Sequence, residues 1–255
     1  MKNIFFHIDV NSAFLSWTAI RLLAEGETVD IRTIPAAIGG DMSKRRGVIL
    51  AKSIPAKTFG VTTGEPITDA LKKCPTLRII QPDHTYYHEC SHRMLNLLET
   101  YSPDIRPYSI DECFMTYVPF KNGGETPKAA ANHIREHIRN ELGFTVNIGI
   151  STNKLLAKMA SDFKKPDLVH TLFPEEIPRK MWPLPVRDLF MVGRSSARTL
   201  ELLGIKTIGD LAHTDPSILT SHLKTHGQTI WEYANGLEYT PIDTRRHIAR
   251  GIGNS

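Results

Sequence analysis

Two adjacent acids, Asp111 and Glu112, lie in the run Tyr108-Ser109-Ile110-Asp111-Glu112-Cys113-Phe114, and a third, Asp9, ends an apolar run near the N-terminus. Carboxylates grouped in this way suggest a metal site. Hard divalent cations such as magnesium take oxygen ligands, and a few carboxylates plus substrate phosphates are the usual way of holding them. The chemistry such a site would serve is phosphoryl or nucleotidyl transfer. Consecutive strand residues point to opposite faces, so Asp111 and Glu112 can share one centre only where a turn or bulge breaks the pleat. Ile105 to Ile110 and Cys113 to Val118 both read as strands, which puts the acids at a hairpin tip. The alternative is a solvated tip plus an unrelated strand-end Asp.

The elements that must position these acids follow from the pattern. Asn3 to Val10 reads as a strand, and a helix runs from about Ser12 to Glu25, with Asn11 or Ser12 as cap and Gly26 as stop. Strand-like runs Ile34 to Ile38 and Gly47 to Lys52 flank Gly39-Gly40-Asp41 and the basic Lys44-Arg45-Arg46. A helix from Pro66 to Lys73 and a strand from Leu77 to Ile80 close an inserted segment. Then come a helix from Asp83 to about Thr100, the two strands around the acids, a helix from Pro127 to Leu142 and a strand from Phe144 to Ile150. The order β, insertion, α, β, β, α, β predicts an α+β fold with a ferredoxin-like sheet. A further helix spans Thr152 to Phe163. After Pro174 short helices are expected at Ser195 to Leu203, Thr207 to Ala212 and Gln228 to Asn235, the first two forming a helical hairpin that serves either phosphate binding or plain packing.

Composition narrows the setting. The chain has 255 residues, 41% of them hydrophobic, enough for one large domain or two to three small ones. No apolar stretch reaches the roughly 18 residues of a membrane span, and the first residues are interrupted too early for a signal peptide. A cytoplasmic location is expected. Three cysteines, Cys74, Cys90 and Cys113, form no close pair, which argues against a disulfide framework or a cysteine zinc site. A formal charge of +4 is mild evidence for a polyanionic partner.

The chain resembles the Y-family DNA polymerases, the translesion enzymes of the DinB and UmuC type, from Phe5 to about Gly253. The resemblance rests on Ile8-Asp9-Val10-Asn11-Ser12-Ala13-Phe14, on Tyr108 to Glu112, and on Asn147 to Asp162 followed by Lys164-Lys165-Pro166. It implies a ferredoxin-like palm (1–12 and 83–173), an inserted fingers segment (13–82), a small helical thumb (174–240) and a linker (241–255) toward a little-finger domain. Asp9, Asp111 and Glu112 match the family's metal-binding acids, and Val10 the position whose backbone carbonyl is also a ligand. The implied cofactor is a pair of Mg2+ ions, with Mn2+ as substitute. Phe14 matches the steric gate against a ribose 2′-hydroxyl, although alone it reads as core. Lys57 and Lys165 match triphosphate-binding cations, although alone they read as surface charge. The implied activity is low-fidelity, template-directed DNA synthesis across damage. Its implied partners are primer–template DNA, dNTP and a sliding clamp reached through a region outside this chain, with no membrane.

The chain departs from the family pattern in places. Ile54 stands where many relatives have a tyrosine that bonds the triphosphate, Met191 replaces the first glycine of the usual helical hairpin, and Thr116 replaces a common acid. The chain also stops where the little finger should begin. Two other readings compete: a noncatalytic DNA-binding relative, with basic residues near Lys154, Lys158 and Lys164 as backbone contacts, and a zinc hydrolase. The second comes from His88-Glu89-Cys90-Ser91-His92, which fits the H-E-x-x-H pattern on a helix.

Overall fold

The computed structural model describes residues 3–40, 47–119 and 123–238. The basic cluster Lys44-Arg45-Arg46 and the linker 241–255 lie outside the described residues. Contacts group the chain into two units, Met1–Pro183 and Leu184–Ser255.

In the first unit, β1 (Phe5–Val10) is the centre of a five-stranded sheet. Its order is β5 (Ile105–Pro107), β6 (Glu112–Thr116), β1, β7 (Val146–Ser151) and β8 (Val169–Thr171). Antiparallel β5-β6-β1-β7 is the ferredoxin-like arrangement the element order predicts, and β8 adds a parallel edge strand beside β7. Strand alternation divides the residues of β1 cleanly between two faces. Phe6, Ile8 and Val10 enter a core shared with α4 (His84–Glu99) and α5 (Pro127–Leu142). His7 and Asp9 face the other way, toward α6 (Lys154–Ser161).

The helices begin and end where local chemistry directs. Asp83 caps α4 by accepting from the Tyr86 amide, and Asn153 caps α6 by accepting from that of Leu156. Thr126 caps α5, Pro127 opens it, and Gly143 ends it at φ 77°.

The inserted segment carries α1 (Ala13–Ala24) and a second sheet with strands in the order β3 (Ile49–Lys52), β2 (Ala36–Gly39), β4 (Arg78–Ile80). It also holds α2 (Ile54–Thr58) and α3 (Ile67–Lys73). Ser53 anchors α2: its hydroxyl donates to the Ile34 carbonyl and accepts from the amides of Ala36 and Ala56. This half-turn of polar contacts makes a helix of a segment too short to carry a period.

A short helix, α7 (Ile177–Lys180), follows β8 within the first unit. The second unit contains α8 (Arg194–Leu202), α9 (Ile208–His213), α10 (Pro216–Leu223) and α11 (Thr225–Ala234). Thr207 and Asp210 form a capping box on α9. Leu200, Ile208, Leu211, Leu219 and Ile230 make its core. Met191, at the position where the family pattern has glycine, adopts φ 71° and keeps its side chain largely exposed.

The tightest approach in the first unit is at Gly149 on β7. A Cβ there would stand 1.9 Å from the Ala157 carbonyl oxygen and 2.5 Å from the Ser161 amide nitrogen. Glycine alone lets α6 lie directly on the strand. Gly149→Ala should therefore cost about 3 kcal/mol or more, or roughly 6–12 °C in Tm. A variant melting with the wild type would show that α6 does not depend on this contact.

Candidate active site

The strand register builds the site. Asp9 on β1 is the direct partner of Glu112, the first residue of β6, and of Asn147 on β7. Directly opposed residues project to the same face. His7 shares that face, and the ligand atoms of His7, Asp9 and Glu112 all lie within 4.8 Å of one another.

Asp111 reaches the neighbourhood by a different route. Residues 108–111 form a bend rather than strand, so the strand predicted to Ile110 stops at Pro107. The Glu112 carbonyl accepts from the amides of both Tyr108 (2.9 Å) and Ser109 (3.1 Å), which breaks the pleat where two neighbouring acids require it. The Val10 amide ties the bend down by donating to the Asp111 carbonyl at 3.0 Å. Ser109 Oγ donates to Asp111 Oδ1 at 2.6 Å.

A groove of about 620 Å³ opens beside these acids. Asp9, Val10, Asp111 and Lys165 line one side, Phe14 the floor of α1, and Lys52, Ile54 and Lys57 the side of the inserted segment. The seven residues singled out in the sequence thus fall into one neighbourhood. Six line the groove, and Glu112 adjoins Asp9 from β6. Phe14 is half-buried and stacks on Tyr87 with centroids 4.6 Å apart and planes 9° from parallel. The Tyr87 hydroxyl and Thr18 Oγ1 are 2.8 Å apart, which fixes the ring beneath Phe14.

The electrostatics of the acids are unequal. Burial disfavours a charged Glu112, yet His7 and Lys158 outweigh it and hold the carboxyl at about 2. Lys158 Nζ pairs with Glu112 Oε2 and lies 5.0 Å from the centroid of the Tyr108 ring. His7 Nε2 stands 3.0 Å from the same oxygen without hydrogen-bond alignment, while His7 Nδ1 is 2.8 Å from Ser161 Oγ. Asp9 goes the other way. Burial pushes its carboxyl above the ordinary range, more than the Lys165 ammonium at 2.9 Å pulls it down. Burial also lowers the Lys165 ammonium, but Asp9 and Asp162 (2.9 Å) prevail and raise it.

The turn carrying Lys165 is held by Asn147, fully buried on β7. Its Nδ2 donates to the carbonyls of Ser161 (3.0 Å) and Lys164 (2.8 Å), and its Oδ1 accepts from the Leu168 amide (3.3 Å).

Two sequence readings change here. Lys158, read as a DNA-backbone contact, is instead the counter-ion of Glu112. His88, Glu89 and His92 lie exposed on α4, and among the described residues no third ligand is brought to them; the one group of three candidate ligands is His7, Asp9 and Glu112. The sequence reading passed over His7, Lys158 as a partner of Glu112, and Lys52. Period two along β1 could have found the first, since His7 has the parity of Asp9.

The two acids should respond oppositely to neutralisation in chelator-treated buffer. Asp9→Asn removes a charge the fold disfavours, so Tm at pH 7 should rise by a few degrees. Glu112→Gln strips Lys158 of its partner and should cost about 1–3 kcal/mol. The folded Glu112 pKa is depressed, so its contribution is complete above the ordinary value of 4.5 and fades as pH falls toward about 2. Thermal melts of both variants against pH test this, and equal destabilisation by the two would contradict the asymmetry.

Comparison with known proteins identifies the family of the chain. Residues 8–162 match the impB/mucB/samB family and residues 174–205 the IMS family HHH motif. A protein named DNA polymerase IV from Clostridium acetobutylicum is 52% identical over 254 residues, covering 100% of this chain and 64% of the relative. DNA polymerase IV 1 of Bacillus subtilis is 36% identical, covering 100% of this chain and 60% of that protein. The chain therefore spans less than two thirds of the length of these curated relatives. The crystal structure of DinB from Sulfolobus solfataricus superposes with a TM-score of 0.80 at 24% identity, over 94% of this chain and 69% of that one, a likeness of fold. The chain belongs to the impB/mucB/samB family, the Y-family that its motifs resemble.

Proposed function

We propose that this chain is the catalytic core of a template-directed DNA polymerase that transfers a nucleotide from dNTP to a primer 3′-hydroxyl and copies damaged templates at low fidelity. The observation that carries the reading is the meeting of Asp9, Asp111, Phe14, Lys57 and Lys165 on one groove, with Glu112 paired to Asp9 across the strands. The domain assignment that goes with it is palm at 1–12 and 83–173, fingers at 13–82, thumb at 174–240 and linker at 241–255.

The donor set suits hard divalent cations. Oxygen ligands predominate, Asp9 carries a charge that burial disfavours, and lysine ammonium groups already stand against Asp9 and Glu112. Asp9, Asp111, Glu112 and the Val10 carbonyl would hold two magnesium ions, or manganese in their place. When bound, these supply Lewis-acid stabilisation of the attacking and leaving oxygens and lower the pKa of the 3′-hydroxyl.

The protein's own residues do the rest. Lys165 can exchange Asp9 for a phosphate oxygen, because Asp162 keeps it in place from the other side. Lys57 adds a point charge from the fingers side. The bond formed joins the 3′-oxygen to the α-phosphorus, the bond broken releases pyrophosphate, and these lysines bind the charge on the leaving group. Phe14, stacked on Tyr87, would present a fixed ring beneath the sugar and so exclude a 2′-hydroxyl. Leu50 and Ala51 offer small apolar contact to a nascent pair, which suits tolerance of distorted templates. Primer–template DNA is the proposed partner, and a sliding clamp would act through a region outside this chain. The location proposed is cytoplasmic: Cys74, Cys90 and Cys113 are free and buried. No helix among the described residues is long and apolar enough to cross a membrane.

Asp111→Ala should lower magnesium-dependent primer extension by about 10²-fold or more while leaving Tm unchanged, since this side chain bonds only its neighbour Ser109. Undiminished extension would overturn the reading. Phe14→Ala should raise the ratio of ribonucleotide to deoxynucleotide incorporation by about tenfold, roughly 1.4 kcal/mol of discrimination. The ratio is measured by competitive single-nucleotide extension, and an unaltered value would remove the gate from Phe14.

A further inference from the structure

The side of the groove formed by the inserted segment carries a cation that the mechanism has not used. Lys52 is the last residue of β3, half-buried, and lines the groove with Ser53, Ile54, Lys57 and Thr63. Its Nζ donates to Thr63 Oγ1 at 3.2 Å. Among the described residues Lys52 has no carboxylate partner, and neither has Lys57. The one carboxylate close enough to act on Lys52, Glu65, is itself paired with Lys73.

A half-buried ammonium close enough to feel a second ammonium is an unfavourable arrangement. Burial first, and then the charge of Lys57, lower the Lys52 pKa. Across the groove Lys165 is already bonded to Asp9 and Asp162. The uncompensated positive charge therefore sits on the fingers side, opposite the acids. A ligand that satisfies both sides must present several negative oxygens in a row, and a polyphosphate does so. Ile54, which is 64% exposed, offers an apolar surface between the two lysines and no hydrogen-bonding group that would compete for those oxygens.

We propose that Lys52 is a triphosphate-binding residue, which rests on the polymerase reading above and deepens it. Its ammonium, which donates to Thr63 in the structure, turns to the phosphate oxygens beside Lys57 when a nucleotide binds. The bond to an anionic phosphate oxygen, in which both partners are charged, replaces a weaker one to a neutral hydroxyl.

The test is equilibrium binding of a dNTP, in magnesium, to the chain carrying a primer–template whose primer ends in a dideoxynucleotide, so that no reaction follows. Inorganic tripolyphosphate is the competing probe. Lys52→Met should raise the nucleotide Kd about tenfold and weaken tripolyphosphate competition in parallel, with primer–template Kd unchanged. Lys52→Arg should restore most of the affinity and covers a Met variant that folds poorly. A nucleotide Kd equal to that of the wild type in a Lys52→Met protein of normal Tm overturns this assignment alone. Weakening confined to primer–template also overturns it, making Lys52 a backbone contact. A wild-type chain that binds no dNTP takes the polymerase reading down with it.

Discussion

Two carboxylates placed directly opposite each other on neighbouring strands repel, and much of the surrounding fold is arranged to tolerate the Asp9–Glu112 pair. The compensation is uneven. Glu112 receives a buried histidine from its own face of the sheet and a lysine from α6, and stays ionised far into acid. Asp9 receives one lysine that it shares with Asp162. The pair thus comprises one anion held permanently and one held reluctantly. A site built this way gains most from an additional positive charge on the side of Asp9, which is the side facing the groove.

The helix that supplies the compensation owes its place to a missing side chain. With hydrogen at Gly149, α6 settles on β7 closely enough for Ser161 to reach His7 and for Lys158 to reach Glu112. Backbone proximity, local capping by Asn153 and the electrostatics of the acids are one connected arrangement. The stretch Asn147 to Lys165 contains nearly all of it.

The sheet order and the convergence of the acids were legible because β1, β6 and β7 read as apolar runs ending at polar or turn residues and because α4 and α5 carry boundary signals: Asp83, Thr126, Pro127 and Gly143 stand where boundary chemistry puts them. The pleat break before Glu112 could be inferred from the need to use two consecutive acids, although its hydrogen bonds could not. What stayed hidden was short or depended on distant partners. β8 has three residues and exists by pairing with β7. α2 has five and is held by Ser53 reaching Ile34 and Ala36. α10 carried a readable signal in Asp215-Pro216, a cap followed by proline, that was passed over. His7 sits in an apolar run that reads as core, and only its parity with Asp9 separates it from Phe6 and Ile8. Lys158 and Lys52 look like any surface lysine until the groove and Glu112 are placed beside them.

Asn147 has a consequence that reaches beyond stability. Its single amide grips both flanks of the turn between Ser161 and Leu168, so the length of that turn is set by the span of one side chain. The loop that holds Lys165 against Asp9 is therefore not free to gain or lose a residue without breaking that grip. On the inserted segment, Lys52, Ile54 and Lys57 project from a strand end and a short helix that the Ser53 hydroxyl fastens in its turn.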